Sequence, residues 1–252
     1  MEIICPKCQI GFLYSSRQRK KKFCSLSCAN KSNKATLVEI DLPKPSVKLA
    51  EFMGIMLGDG CASNYYSTVS LNSHADKAYV PYVLHLIDKL FVGGSFNAKQ
   101  IKNVNLVLIQ ISSVQISQFL RNEGLLPNNK KIPAWILENQ TYRRACVRGL
   151  FDTEGSISYK FYKSKKGLSI YKQLNFRNAD QKLMHFVRQE LLDLGLKPTM
   201  SQTRSLYLSN HEDIDIYSTF IGFSNPKLIQ RSLVKDQESY NAWQRNRIYI
   251  ET

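Results

Sequence analysis

Leu49-Ala50-Glu51-Phe52-Met53-Gly54-Ile55-Met56-Leu57-Gly58-Asp59-Gly60 returns 95 residues later as Arg144-Ala145-Cys146-Val147-Arg148-Gly149-Leu150-Phe151-Asp152-Thr153-Glu154-Gly155. In each stretch small residues recur at every fourth position: Ala50, Gly54 and Gly58, then Ala145, Gly149 and Thr153. Each ends on an acid followed by glycine. Residues four and eight apart share one helix face. A face of small side chains lets two helix backbones come close together, as small-xxx-small patterns do. Glycine inside a helix costs about 1 kcal/mol relative to alanine. Close packing of the two helices against each other is the natural compensation for Gly54 and Gly149.

The acids predict chemistry rather than stability. Asp59 and Glu154 end their helices, where a carboxylate opposes the helix dipole. Brought together by helix packing, they also repel each other. Nothing in folding rewards that arrangement, but a site for divalent cations does. The ordinary alternative, capping or exposed carboxylates, is disfavoured by the same dipole argument.

These two stretches resemble the motifs of LAGLIDADG homing endonucleases, in the single-chain form with two pseudo-repeats. The resemblance covers roughly residues 47–235 and rests on two copies of the motif with both acids present. Glu51, Met56, Arg148 and Thr153 depart from its usual residues.

Composition agrees with a nucleic-acid partner. The chain has 252 residues, a formal net charge of +15 and 43% hydrophobic residues. It is long enough for a sizeable core and globular rather than disordered. So large a basic excess points to a polyanion. No apolar run is long enough to span a bilayer and no signal peptide stands out. An intracellular, reducing setting is therefore expected: cytoplasm or nucleoid in a prokaryote or phage, or an organelle.

Four of the six cysteines fall in the first thirty residues, as Cys5-Pro6-Lys7-Cys8 and Cys24-Ser25-Leu26-Ser27-Cys28. Two close pairs of thiols suit a closed tetrahedral zinc site, and binding the metal would supply this short segment's folding energy. Residues 1–34 are thus read as a four-cysteine, zinc-finger-like module. Arg17, Arg19, Lys20, Lys21 and Lys22 lie between the pairs. Such a run is ordinarily a solvated loop, but on a metal-held finger of a basic protein it is expected to touch phosphates. Cys61 and Cys146 are expected to be ordinary thiols.

Residues 35–46, ending in Pro43-Lys44-Pro45, read as a linker. The first repeat is placed at 47–138 and the second at 139–252. Hydrophobic periodicity predicts strands at 61–66 and 67–73, a helix from 75 to 91, strands at 95–102 and 105–112, and a helix through Ile116 that stops at Gly124. The second repeat gives strands at 156–163 and 168–177, a helix at 180–194, a weaker strand pair over 198–218, and a last helix opening at Asn225-Pro226. Ser73-His74-Ala75-Asp76-Lys77 matches Arg177-Asn178-Ala179-Asp180-Gln181, which pairs His74 with Asn178. The fold class is α+β: two αββαββα repeats whose antiparallel sheets form a DNA-binding saddle, plus the finger.

On that fold the polar sheet faces would read bases in the major groove, where all four base pairs are distinguishable. The candidates are Asn72, His74, Asn97 and Lys99 in one half and Lys160, Gln173, Asn175, Arg177, Asn178 and Arg204 in the other. Each alone is an ordinary strand or turn side chain; the set, with the charge, is not. Unlike halves imply an asymmetric site read by a monomer.

The resemblance implies Mg²⁺ held by Asp59 and Glu154, hydrolysis of both strands across the minor groove, and short 3′ overhangs. It also implies a basic residue at each centre, which by position is Lys131 (or Lys130) and Lys227. It further implies a water-positioning polar residue near His74 and Asn178. Asp152 is expected to be a surface or DNA-proximal acid. The alternative reading is an RNA-splicing maturase, with intron RNA as partner, or a non-cleaving regulator on the same scaffold. Both motif acids are intact, which favours the nuclease. An intein-embedded domain is not expected, because the chain opens on Met1 and closes on Ile250-Glu251-Thr252 without the residues splicing needs.

Overall fold

A computed structural model describes residues 2–13, 21–32, 40–164, 167–201 and 204–250. The chain divides into two compact units, residues 1–39 and 40–252. The first holds a short antiparallel pair, β1 (Glu2–Ile4) and β2 (Gly11–Leu13), and helix α1 (Leu26–Ser32).

The second unit opens with α2 (Val47–Asp59), β3 (Gly60–Ala62), β4 (Ser67–Asn72), α3 (Val80–Leu90), β5 (Phe96–Ile101), β6 (Leu106–Ile111) and α4 (Val114–Asn122). A small hairpin, β7 (Leu125–Leu126) and β8 (Asn129–Lys130), and a short helix α5 (Ala134–Leu137) lead to the second repeat. That repeat runs α6 (Gln140–Glu154), β9 (Gly155–Ser164), β10 (Gly167–Arg177), α7 (Gln181–Asp193), β11 (Thr199–Met200), β12 (Ser205–Leu208) and α8 (His211–Phe220). Helices α9 (Pro226–Ser232) and α10 (Gln237–Ile250) follow. The strand orders are β3-β4-β6-β5 and β9-β10-β12-β11, all antiparallel. The two repeats therefore share one αββαββα topology.

The helices begin where polar caps allow. Ser46 accepts from the Leu49 amide at 3.2 Å, and Asn139 accepts from Tyr142 at 3.2 Å. Their ends are also alike. Gly60 and Gly155 are not left-handed C-caps; both are extended (φ −94° and −89°) and run straight into strands. They must be glycine because a Cβ would collide with the Met56 backbone at one end and the Phe151 carbonyl at the other.

The predicted close approach of α2 and α6 is realised through backbone. A methyl group at Gly54 would overlap the Cys146 carbonyl, and one at Gly149 would overlap the Glu51 carbonyl. Gly58 is filled in the same way by the Thr153 hydroxyl, which donates to the Gly149 and Leu150 carbonyls at 3.1 Å each. One continuous core surrounds this contact, from Ile40 through Phe52, Ile109, Phe151 and Phe176 to Leu228. Val69, Leu71, Ile109 and Ile111 face it from the first sheet; Ile157, Leu174, Phe176, Leu206 and Leu208 face it from the second. The opposite sheet faces stay open.

Several boundaries differ from expectation. Residues 63–66 form the β3–β4 turn rather than strand, held by the Ser63 amide donating to the Tyr66 carbonyl at 2.9 Å. Helix α3 starts at Val80, with Pro81 in its first turn where no amide is needed. Residues 211–220 are helix, not strand. Asn210 caps that helix by accepting from Glu212, and it buries Ile214 and Tyr217. The linker reading fails for Ile40: it is buried, and its backbone exchanges hydrogen bonds with the Gln115 amide at 3.1 and 3.4 Å.

Candidate active centre and nucleic-acid interface

Asp59 and Glu154 lie half-buried at the matching ends of α2 and α6. Burial pushes the Asp59 carboxyl up to about 7, and the charges of Glu154 and Asp76 push the same way, against Lys130 and Lys227. Burial raises Glu154 too, against Lys130. The push of Glu154 on Asp59 is the repulsion expected from the helix packing. Hard carboxylate oxygens whose ionisation is resisted fit a divalent cation, which would relieve their repulsion.

The basic residue beside them in the first repeat is Lys130, not Lys131. Lys130 Nζ donates to the carbonyls of Met56 and Leu57 at 3.0 Å and Gly58 at 3.2 Å. It thus caps the α2 end, where a cation meets the dipole favourably. Burial lowers its pKa, while Cys61, Asp59 and Glu154 oppose that shift. Lys131 is exposed, and its amide pairs with the Gly124 carbonyl. The β7–β8 hairpin makes this choice, because alternation along β8 sends adjacent side chains opposite ways. Lys227, in the first turn of α9, meets Asp76 at 2.7 Å.

The pair His74 and Asn178 diverges. Asn178 donates its amide to Glu154 Oε1 at 3.2 Å. His74 is exposed in the turn after β4, where its backbone amide donates to Asn72 Oδ1 at 3.0 Å and its carbonyl accepts from Lys77 N at 3.5 Å. Beside Glu154 opens a cavity of about 710 Å³. Lys130, Arg177, Asn178 and Arg204 line it, a cationic and amide-rich wall against the carboxylate.

The open sheet faces hold most of the remaining candidates. Asn97 and Lys99 are exposed on edge strand β5, opposite Gln110 and Leu108. Asn72 spends its carbonyl oxygen on the turn that follows, accepting from His74 and Ala75. In the second sheet Lys160 faces outward, Gln173 donates to Ser209 at 2.9 Å, and Asn175 donates to Ser158 at 3.0 Å. Half-buried Leu106 and Leu108 share the first face, so it is the less polar of the two.

Asp152 is not a surface acid. It is 2% exposed, and burial pushes it up to about 7 even though the Asn225 and Ser224 amides favour its charge. Its carboxylate accepts from Ser224 N at 3.0 Å, Asn225 N at 3.1 Å and Tyr79 Oη at 3.4 Å. Two of the four unusual motif residues also explain each other. Glu51, buried on α2, lies 3.3 Å from Arg148 Nε of α6 and accepts from Tyr82 Oη at 2.6 Å and Ser224 Oγ at 2.7 Å. The ion pair is close without hydrogen-bond alignment, since Arg148 Nε has no hydrogen-bond partner.

In the other unit, the sulfurs of Cys5, Cys8, Cys24 and Cys28 all lie within 4.8 Å of one another. Cys24 Sγ stands 3.5 Å from Cys8 Sγ and 3.6 Å from Cys28 Sγ. Tetrahedral zinc with Zn–S bonds of about 2.3 Å requires sulfurs about 3.8 Å apart, so the set fits. Removal from water pushes Cys5 up, but the amides of Cys24, Cys8 and Lys7 outweigh it and bring the thiol down to about 6. Hydrogen bonds from Cys8 and Cys28 push Cys24 up to about 12. Such thiols share protons that a cation would displace. Lys21 is exposed; Arg17, Arg19 and Lys20 lie outside the described residues. Cys61 is exposed, and Cys146 is buried on α6, its pKa raised by burial. No helix among the described residues is long and apolar enough to cross a membrane.

Residues 141–222, within the second repeat, match the family model of the LAGLIDADG-like domain. No curated protein matches the chain in sequence. Among solved structures, the chain is similar to the homing endonuclease I-DmoI in complex with DNA and Ca, at 17% identity and a TM-score of 0.49, over 79% of this chain and 97% of that one. It is similar to the I-LtrWI LAGLIDADG homing endonuclease bound to target DNA, at 12% identity and 0.48, over 82% and 97%. It is also similar to the N-terminal LAGLIDADG domain of DUF199/WhiA, at 18% identity and 0.48, over 75% and 89%.

Proposed function

We propose that this chain is a monomeric, site-specific endonuclease that binds a long asymmetric DNA duplex and hydrolyses both strands, leaving 3′ overhangs. One observation carries the reading: two carboxylates end two helices packed backbone to backbone, and the charge of Glu154 raises the cost of charging Asp59 while lysine stands beside them. The LAGLIDADG-like match of residues 141–222 supports it.

Asp59 and Glu154 would hold Mg²⁺, which when bound supplies charge that polarises the phosphodiester and acidifies its water. Lys130 and Lys227 place positive charge where a phosphate gains negative charge in the transition state. Asn178 orients one oxygen of Glu154, and Arg177 and Arg204 offer the adjoining cavity to a phosphate. The open sheet faces lie along the major groove, with the polar candidates toward base edges. A zinc-held finger adds phosphate contacts, which fix register without reading sequence. The setting we propose is intracellular.

The test is a cleavage selection. Wild type with Mg²⁺ is incubated with fragmented DNA and the new ends are sequenced, beside Asp59→Asn, Glu154→Gln and the double variant. One long asymmetric site, cut on both strands by wild type and on neither by the double variant, is the expected result. Tight, salt-sensitive binding without cutting under any divalent metal would overturn the nuclease and leave the maturase or regulator.

A further inference from the structure

Asp76 matches Asp180 in the repeat alignment, but the two acids do different work. Asp180 caps α7, accepting from the Lys182 amide at 2.8 Å. Asp76 lies in the turn after β4 and reaches the C-terminal segment of the other repeat. Its Oδ1 accepts from Lys227 Nζ at 2.7 Å and Asn225 Nδ2 at 3.0 Å, and its Oδ2 from Asn72 N at 3.2 Å.

Asn225 is wholly buried, and every polar atom of its side chain is used. Its amide also donates to the Asp152 carbonyl at 3.0 Å, and its oxygen accepts from Lys227 N at 3.1 Å. The Ser224 and Asn225 amides in turn grip the Asp152 carboxylate. A continuous set of bonds thus runs from inside α6, through Asn225, to the ammonium of Lys227. That ammonium favours the charge of Asp59, whereas Asp76 opposes it.

Placing a second acid near Asp59 is costly by itself, and a partly buried ion pair is a poor source of stability. The arrangement makes sense if its product is the position of the lysine. A long, rotamer-rich side chain must be held in place before it can help at a phosphate.

We propose that Asp76 and Asn225 are positioning residues that hold Lys227 at the Asp59 centre, so that a residue of the second repeat completes the centre of the first. This rests on the endonuclease reading above. It gives the two centres different support: Lys227 with Asp76 for Asp59 and Asn178 for Glu154, with Lys130 common to both.

The test uses full-length protein and a duplex carrying the site recovered with wild type, labelled on one strand or the other, with Mg²⁺. Asp59→Asn identifies the strand served by that centre. Asp76→Ala and Asn225→Ala are expected to slow cutting of that strand about a hundredfold, the scale of a mispositioned catalytic group, and to leave the other strand near the wild-type rate. Asp76→Glu is expected to recover part of the loss. Equal slowing of both strands would show a structural role and overturn the proposal.

A second measurement does not depend on cutting. Amine-reactive labelling of the free protein, read by mass spectrometry, is expected to modify Lys227 severalfold faster in Asp76→Ala than in wild type, with Lys131 unchanged. Unchanged Lys227 labelling overturns the positioning claim even if wild type cuts no DNA. Faster labelling without cutting keeps the claim and removes the endonuclease reading.

Discussion

Asp59 and Glu154 occupy the same place in two copies of one scaffold, and their surroundings have separated. Asp59 shares its field with a second acid and a lysine brought from the other repeat. Glu154 takes an amide from its own repeat and borders a cavity walled by Arg177, Arg204 and Lys130. The glycine contacts of the two helices are alike: Gly54 and Gly149 each meet a carbonyl of the partner, and Gly60 and Gly155 each turn into a strand without room for a Cβ. Backbone contacts leave no freedom to drift. Side chains that flank the acids do have that freedom, and there the two halves have become different.

The symmetry of the helix contact gives the largest expected effect. Gly54→Leu and Gly149→Leu each drive a side chain into the opposite backbone and are expected to cost about 3 kcal/mol or more, beyond the usual range of overpacking because backbone cannot yield. Denaturant unfolding should show similar losses for both. A large loss at one glycine and a small loss at the other would mean that the contact is not shared equally.

The asymmetry of the flanks is tested by the lysines. Lys130 interacts with both carboxylates and caps α2, whereas Lys227 acts on Asp59. Lys130→Met is therefore expected to slow both strands about 10²-fold, and Lys227→Met only one. Strand-resolved rates on the selected site decide this, and equal slowing by Lys227→Met would restore symmetry to the centres.

A smaller effect is expected at Glu51 and Arg148. Arg148→Met strands a buried carboxylate, though Tyr82 and Ser224 still donate to it and the arginine is 27% exposed. A loss of about 2 kcal/mol is expected, below the usual range of about 3–5 kcal/mol for a fully buried pair. Adding Glu51→Leu to Arg148→Met should recover most of it. A double variant no better than the single one would mean that the hydroxyl bonds, not the ion pair, hold this site.

The repeats were legible because the spacing of four and the offset of 95 are properties of sequence alone. So were both acids, the four-cysteine cluster and the outward sheet residues. What stayed hidden depends on contacts between distant residues. Glu51 and Arg148 read as separate departures because their pairing crosses from one repeat to the other. Asp152 read as exposed because its donors, Ser224 and Asn225, come more than 70 residues later. Lys130 was an open choice against Lys131 until the β7–β8 hairpin fixed the register. The match of Asn128-Asn129-Lys130 to Asn225-Pro226-Lys227 was a usable signal. The strand pair expected over 198–218 stops at Leu208, because Asn210 caps a helix over 211–220.

The weakest expected effect separates Asp152 from the two terminal acids, although burial raises all three. A carboxyl raised in the folded state binds a proton that the unfolded chain has already released. The share of stability from Asp59 and Asp152 therefore falls as pH rises from about 4, the ordinary carboxylate value, to about 7, and is flat outside that window. Each such group contributes a slope of at most about 1.4 kcal/mol per pH unit. Mg²⁺ bound by Asp59 and Glu154 holds them ionised and is expected to abolish their share of the slope. Asp152, shut between α6 and the Ser224-Asn225 turn, is expected to keep its share. Asp152→Asn should remove about one proton's worth of slope whether or not Mg²⁺ is present. Unfolding measured from about pH 4 to about pH 8, with and without Mg²⁺, tests this. If Mg²⁺ flattened the wild-type curve completely, the metal would be acting on Asp152 as well, and the line drawn between the buried acid and the pair at the helix ends would be in the wrong place.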